Sequence, residues 1–235
     1  MAKHMELGKV ESLWRYPVKS LMGEELKCLD IDARGVSGDR KYAVSSSEGK
    51  LGSGKNTRRF RKIDGLFSMS AASSGSGVVI KFPDGTVLTD KDSSMNSKLS
   101  EILGQCVTLT KEAEISHFDD SAIHILTTSS LSLLKKLLPN SGINSRRFRP
   151  NIVIDTQYLD QELVGKTIRI GETVLEITHK TERCRMITIE QPGLESRPEI
   201  LKSISQHFDL DFGVYAKVLN AGGLSVGEKV EFVSK

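Results

Sequence analysis

Thr178-His179-Lys180-Thr181-Glu182-Arg183-Cys184-Arg185-Met186-Ile187-Thr188-Ile189 sets one cysteine between two arginines where a polar segment runs into an apolar alternation. The strand Thr173 to Thr178 leads into it from the Gly171-Glu172 turn, and the alternation predicts a further strand over Arg185 to Glu190. Cationic neighbours lower the pKa of a thiol, and a thiolate is both a strong nucleophile and a soft-metal ligand. Cys184 is therefore the first candidate for chemistry, with Arg183 and Arg185 beside it. The plainer reading makes it a small apolar residue entering a buried strand; its charged setting favours the reactive one.

Upstream, Ser145-Arg146-Arg147-Phe148-Arg149-Pro150-Asn151-Ile152-Val153-Ile154 crowds three arginines against a buried β-branched strand. Guanidinium groups fixed there are costly without an acceptor, which marks Arg147 and Arg149 as anion ligands. Thr128, Ser129 and Ser130 head a helix whose apolar positions are Leu131, Leu134, Leu137 and Leu138. They read as caps or as part of an anion site at the helix N-terminus. Downstream, Ser196-Arg197-Pro198-Glu199 predicts a capping box before a last helix, and the strands Val214 to Leu219 and Lys229 to Val233 close the chain.

The first half has the same texture. Strands are expected at Lys9 to Tyr16, Leu26 to Ala33 and Lys41 to Ser45. Their connecting loops display Lys19, Ser20, Asp39 and Arg40, which suit convergence on one anion. A basic Gly/Ser-rich loop spans Ser46 to Arg61, a hairpin turns at Pro83-Asp84-Gly85, and a helix runs from Ser94 to Leu103 before the strand Cys106 to Thr110. Many short strands, three short helices and no βαβ alternation predict a mainly β, barrel-like protein, α+β by content. Two intimately packed modules are expected, residues 6–115 and 116–235.

Composition limits the alternatives. Lys and Arg number 33 against 30 Asp and Glu, a net charge of only +3, and aromatics are scarce among the arginine runs. Binding to nucleic acid is not expected. No apolar run is long enough to span a membrane, so a cytoplasmic protein is expected. Met1 to His4 reads as a non-native remnant ahead of a natural start at Met5. The three cysteines, Cys28, Cys106 and Cys184, are widely spaced and suggest neither a disulfide framework nor a zinc site.

Five motifs, in order, resemble the MOSC proteins, named for the C-terminal domain of molybdenum cofactor sulfurases. Tyr16-Pro17-Val18-Lys19-Ser20 and Gly38-Asp39-Arg40 are similar to the MOSC N-terminal β-barrel module. Arg147-Phe148-Arg149-Pro150-Asn151, Arg183-Cys184 and Val226-Gly227-Glu228-Lys229-Val230 are similar to the MOSC domain. The resemblance implies a molybdenum cofactor (molybdopterin) that purification can strip away. Cys184 would be its metal ligand, and Lys19, Ser20, Arg40, Arg149 and Asn151, with the hydroxyls of Thr128 to Ser130, its phosphate and pterin ligands. It further implies reduction of N-oxygenated small molecules, with Arg183 or Arg185 orienting the substrate and a separate electron-donor protein supplying electrons. A non-catalytic carrier, taking sulfur as a persulfide on Cys184 from a sulfur-donor enzyme or holding the cofactor for delivery, is the alternative. Gly52-Ser53-Gly54-Lys55-Asn56 stands where amidoxime-reducing members carry Thr-x-Arg, and Asp160-Gln161-Glu162-Leu163 lacks their tryptophan.

Overall fold

In the computed structural model, which describes residues 5–233, the chain builds a closed barrel with a second β-rich half packed against it. Met1 to His4 lie outside the described residues. The barrel runs Ile152–Asp155, Ile123–Thr127, Asp211–Asn220, Thr173–Glu182, Thr167–Ile170, Lys229–Phe232 and Met5–Arg15, and the last strand pairs back onto the first. Within the barrel only Ile123–Thr127 and Ile152–Asp155 pair in parallel. Closure leaves no free edge among the seven strands. Alternate residues such as Leu7, Val10, Leu13, Ile125, Ile154, Ile168, Leu175 and Val230 point inward and fill the interior.

The second half contains a sheet of Val107–Lys111, Tyr42–Ser46, Leu51–Ser53 and Phe60–Lys62, with Val18–Lys19 added in parallel beside Tyr42 and Ala43. A three-stranded meander, Ser70–Ser74, Gly77–Lys81 and Val87–Thr89, and the helix Met95–Leu103 cover its separate core. A third cluster lies under the helices Thr128–Leu137 and Pro198–His207. The protein is thus mainly β. The modules interlock, because Met5–Arg15 belongs in space to the barrel of the later strands, and Gly222–Ser225 pairs with Cys28–Asp32. Among the described residues no helix is long and apolar enough to cross a membrane.

Two local expectations are corrected. Arg185 to Glu190 is not a strand: the chain folds into a 3-10 turn over Arg185–Thr188, with the Ile187 N–H donating to Cys184 O at 3.3 Å. The turn buries Ile187 with Phe148, Ile200 and Ile204 in the cluster under the helices. Ser196 does not cap the last helix. Arg197 holds the N-cap position without a side-chain bond, and Glu199 accepts from Ser141 Oγ at 3.3 Å instead.

Candidate functional site

Among the described residues, three of the five non-glycine residues with positive φ are Ser20 (63°), Arg40 (52°) and Arg149 (57°). L-residues pay for this backbone region, and such strain collects where surrounding structure must aim a side chain. Each residue sits at a junction. Ser20 follows the Val18–Lys19 strand, Arg40 precedes Tyr42–Ser46, and Arg149 links a 3-10 turn to Ile152–Asp155.

The side chains so aimed form one cationic cluster at the seam between the two halves. Lys19, only 2% exposed, donates to Asp119 Oδ1 at 2.7 Å, and its ammonium lies 4.7 Å from the Phe60 ring centre. Arg40 pairs with buried Asp39, whose other oxygen accepts from the Tyr16 N–H at 2.7 Å. Arg149 donates to Leu21 O at 2.6 Å and stacks over Tyr16 at 4.2 Å. Arg183 donates to Phe148 O at 2.8 Å and reaches His124 Nε2 at 3.5 Å. Asp119 is within electrostatic reach of all four cations. Ser20 Oγ is occupied, donating to Gly52 O at 2.9 Å.

Burial acts against these charges. It lowers Lys19 to about 8, with Asp119 only partly offsetting it, and lowers Arg149 to about 10, with Arg40 adding repulsion. Arg183 is lowered by burial as well. Burial would also lower Arg40, but Asp39 and then Asp119 outweigh it and leave it raised. Burial on the side facing the cluster works against the charge of the otherwise exposed Asp119, yet Lys19 holds its carboxyl down at about 2. Burial and then Arg183 keep His124 well below the ordinary imidazole range, so it is neutral. Four cations against Asp39 and Asp119 leave an excess of two positive charges. Arg149 Nη2 and Arg183 Nε, moreover, are buried with no partner in the protein. Such a surplus with orphaned N–H groups suits a phosphate dianion.

Cys184 is partly exposed and unbonded, immediately after Arg183, where it caps the turn Arg185–Thr188. Arg185 is exposed. The remaining sequence candidates have other partners. Asn151 is fully buried: its amide donates to Trp14 O at 3.3 Å and accepts from the His124 N–H at 3.1 Å, pinning neighbouring strands. Arg147 is 1% exposed and donates to Glu195 O at 2.6 Å, holding the 189–195 loop. The Thr128 and Ser129 hydroxyls donate to Asp155 Oδ1 and Thr156 O at 3.0 and 2.6 Å, and Ser130 Oγ accepts from the Asp160 N–H at 2.9 Å. All three follow the far end of the strand that carries His124 near its start. The structure thus groups Lys19, Ser20, Arg40, Arg149, Arg183 and Cys184. It adds Asp119, His124 and Tyr215, which no spacing in the sequence singles out, the Tyr215 ring lying 5.6 Å from that of His124, and Tyr16, present in the sequence only as part of a motif.

Comparison with known proteins agrees with this architecture. The chain belongs to the MOSC family: the MOSC domain matches residues 112–231, and the MOSC N-terminal beta barrel domain matches residues 7–122. It is 22% identical to mitochondrial amidoxime reducing component 2 of Rattus norvegicus, over 96% of this chain and 83% of that protein. A 71-residue stretch is 41% identical to molybdenum cofactor sulfurase of Drosophila ananassae, covering 29% of this chain but only 9% of the sulfurase. The YuaD protein from Bacillus subtilis has a similar fold, with a TM-score of 0.57 at 15% identity over the whole of both chains.

Proposed function

We propose that this protein binds the molybdenum cofactor across the cationic cluster and, with electrons from a separate donor protein, reduces N-oxygenated small molecules. The observation that carries the proposal is the pairing of the cluster's two-charge surplus and orphaned guanidinium N–H groups with an unbonded cysteine next to Arg183. The kinship with an amidoxime reducing component supports the choice of substrate class.

The donor set fits the group. Lys19, Arg40 and Arg149 would hold its phosphate, and Cys184 as thiolate would be the protein's ligand to the metal. Among the described residues no group of three or more His, Cys, Asp or Glu gathers, so the other metal ligands must come with the cofactor. When bound, the cofactor supplies two-electron redox chemistry at a metal that accepts oxygen. The chain's own residues have electrostatic tasks. Arg183, beside Cys184, offers its unpaired Nε to an anionic or N-oxygenated group. Neutral His124 accepts from Arg183 and keeps that guanidinium aimed, without adding a charge that would repel it.

The test is the molybdenum content of wild type and Cys184→Ser, expressed in a host that makes the cofactor. Near-stoichiometric metal in wild type and its loss in the variant are expected. A metal-free wild type, from a host that loads another molybdenum enzyme, would overturn the reading. The stretch shared with the sulfurase favours the carrier as the second reading, and intact mass spectrometry showing a labile sulfur on Cys184 without metal would select it.

A further inference from the structure

The molecule has a cleft besides the cationic cluster. It has a volume of about 800 Å³ and lies between the halves, lined by Trp14, Met22, Phe67, Phe82, Met186 and Ile189 together with neighbours in the 63–70 and 189–192 segments. Small-molecule sites have this size and favour such seams. It adjoins the cluster through Tyr16 and Arg149: the Arg149 guanidinium lies 5.6 Å from the Phe67 ring centre, and Tyr16 stacks on Trp14 at 6.4 Å. The apolar wall is rich in methionine and aromatic side chains, which adapt to flat ring systems.

Two polar features narrow the ligand. Four charged residues line the cleft: Lys81, Asp64 and Glu190 are exposed, Asp64 pairing with Lys62 at 3.0 Å, whereas Arg146 is half-buried and its guanidinium donates to Pro192 O at 3.1 Å. Gln191, also a lining residue, is 2% exposed, and both polar atoms of its side chain are buried with no partner. Its backbone is fixed by a reciprocal pair of bonds with Leu194 at 2.9 and 2.8 Å. Only the side chain can turn, and turning toward the cleft exchanges two unpaired buried atoms for contact with an occupant.

We infer that this cleft is a second binding site, distinct from the cationic cluster, for a small aromatic anion. The ring system packs on Trp14, Phe67 and the methionines, the anionic group meets Arg146, and a polar edge satisfies Gln191. The site shares the turn Arg185–Thr188 with Cys184 through Met186, so its occupant lies one turn of chain from the candidate metal ligand.

The probe is anilinonaphthalene sulfonate, an aromatic anion with an N–H donor, titrated by fluorescence into the full-length protein as purified. Saturable one-to-one binding is expected. Arg146→Gln should weaken it by about tenfold through the lost charge-assisted contact. Ser68→Trp, a change at an exposed lining position, should block it at an unchanged melting temperature. Lys19→Gln should leave it unaltered. Non-saturable binding, indifference to both cleft variants, or loss with Lys19→Gln would overturn the inference. The last outcome would assign the sulfonate to the cationic cluster, and none of the three bears on whether Cys184 retains molybdenum.

Discussion

Lys19 and Asp119, 100 residues apart in sequence, meet at 2.7 Å across the seam, the lysine side chain 1% exposed and the carboxylate 51%. The sealed partner is the one whose charge is at risk. Lys19 keeps its proton only to about pH 8, whereas Asp119 is ionised throughout the physiological range.

Binding of a fixed dianion should report that titration. Sulfate keeps its charge between pH 6.5 and 10, so its affinity should be flat below about 8 and then fall, approaching tenfold per pH unit as Lys19 loses its proton. Lys19→Gln should bind more weakly and show no such break. The sign for ligand-free stability is opposite. Between about 8 and the ordinary lysine value the unfolded chain holds the proton and the fold does not, so the Lys19 contribution to stability rises with pH in that window. Isothermal titration over this range settles both binding expectations; a break that survives in Lys19→Gln would assign the titration to another group.

Arg149 should show a trade of stability against function. It combines a positive φ, an unpaired buried N–H and a pKa lowered to about 10, offset by one bond to Leu21 O and stacking on Tyr16. Arg149→Gly removes the strain, about 1 kcal/mol or more, together with the anion contact. Thermal unfolding should show a melting temperature equal to or above wild type, with sulfate binding lost. A clear drop in melting temperature would make the stacked arginine a structural clamp.

Asn151 should behave in the opposite way. Asn151→Ala leaves the His124 N–H and Trp14 O without their side-chain partner, at a cost of about 1–3 kcal/mol for each buried group left unpaired. Denaturant titration should show a loss of several kcal/mol, and any loss of cofactor should follow that unfolding. Unchanged stability with cofactor loss would make Asn151 a direct ligand.

The hydroxyls of Thr128 and Ser129 are committed to the 155–156 segment. Thr128→Val and Ser129→Ala should each cost about 1 kcal/mol of stability and leave molybdenum content at the wild-type level. Loss of metal from a folded Ser129→Ala protein would return that helix N-terminus to the cofactor site.

The sequence by itself determined the β-rich barrel class, the cysteine flanked by arginines and the loops displaying Lys19, Ser20 and Arg40. Each depends on local pattern: alternation, Gly and Pro placement, and charge next to a thiol. Tertiary structure decided which of the arginines share a site. Arg147 and Arg149 are two residues apart, yet the left-handed turn at Arg149 sends one toward the 189–195 loop and the other toward Tyr16. It likewise brought Asp119 and His124 to the cluster, and it turned the chain after Cys184 away from a strand, because Ile187 is buried against Phe148, Ile200 and Ile204. Such choices depend on contacts between residues distant in sequence, which only the assembled fold contains.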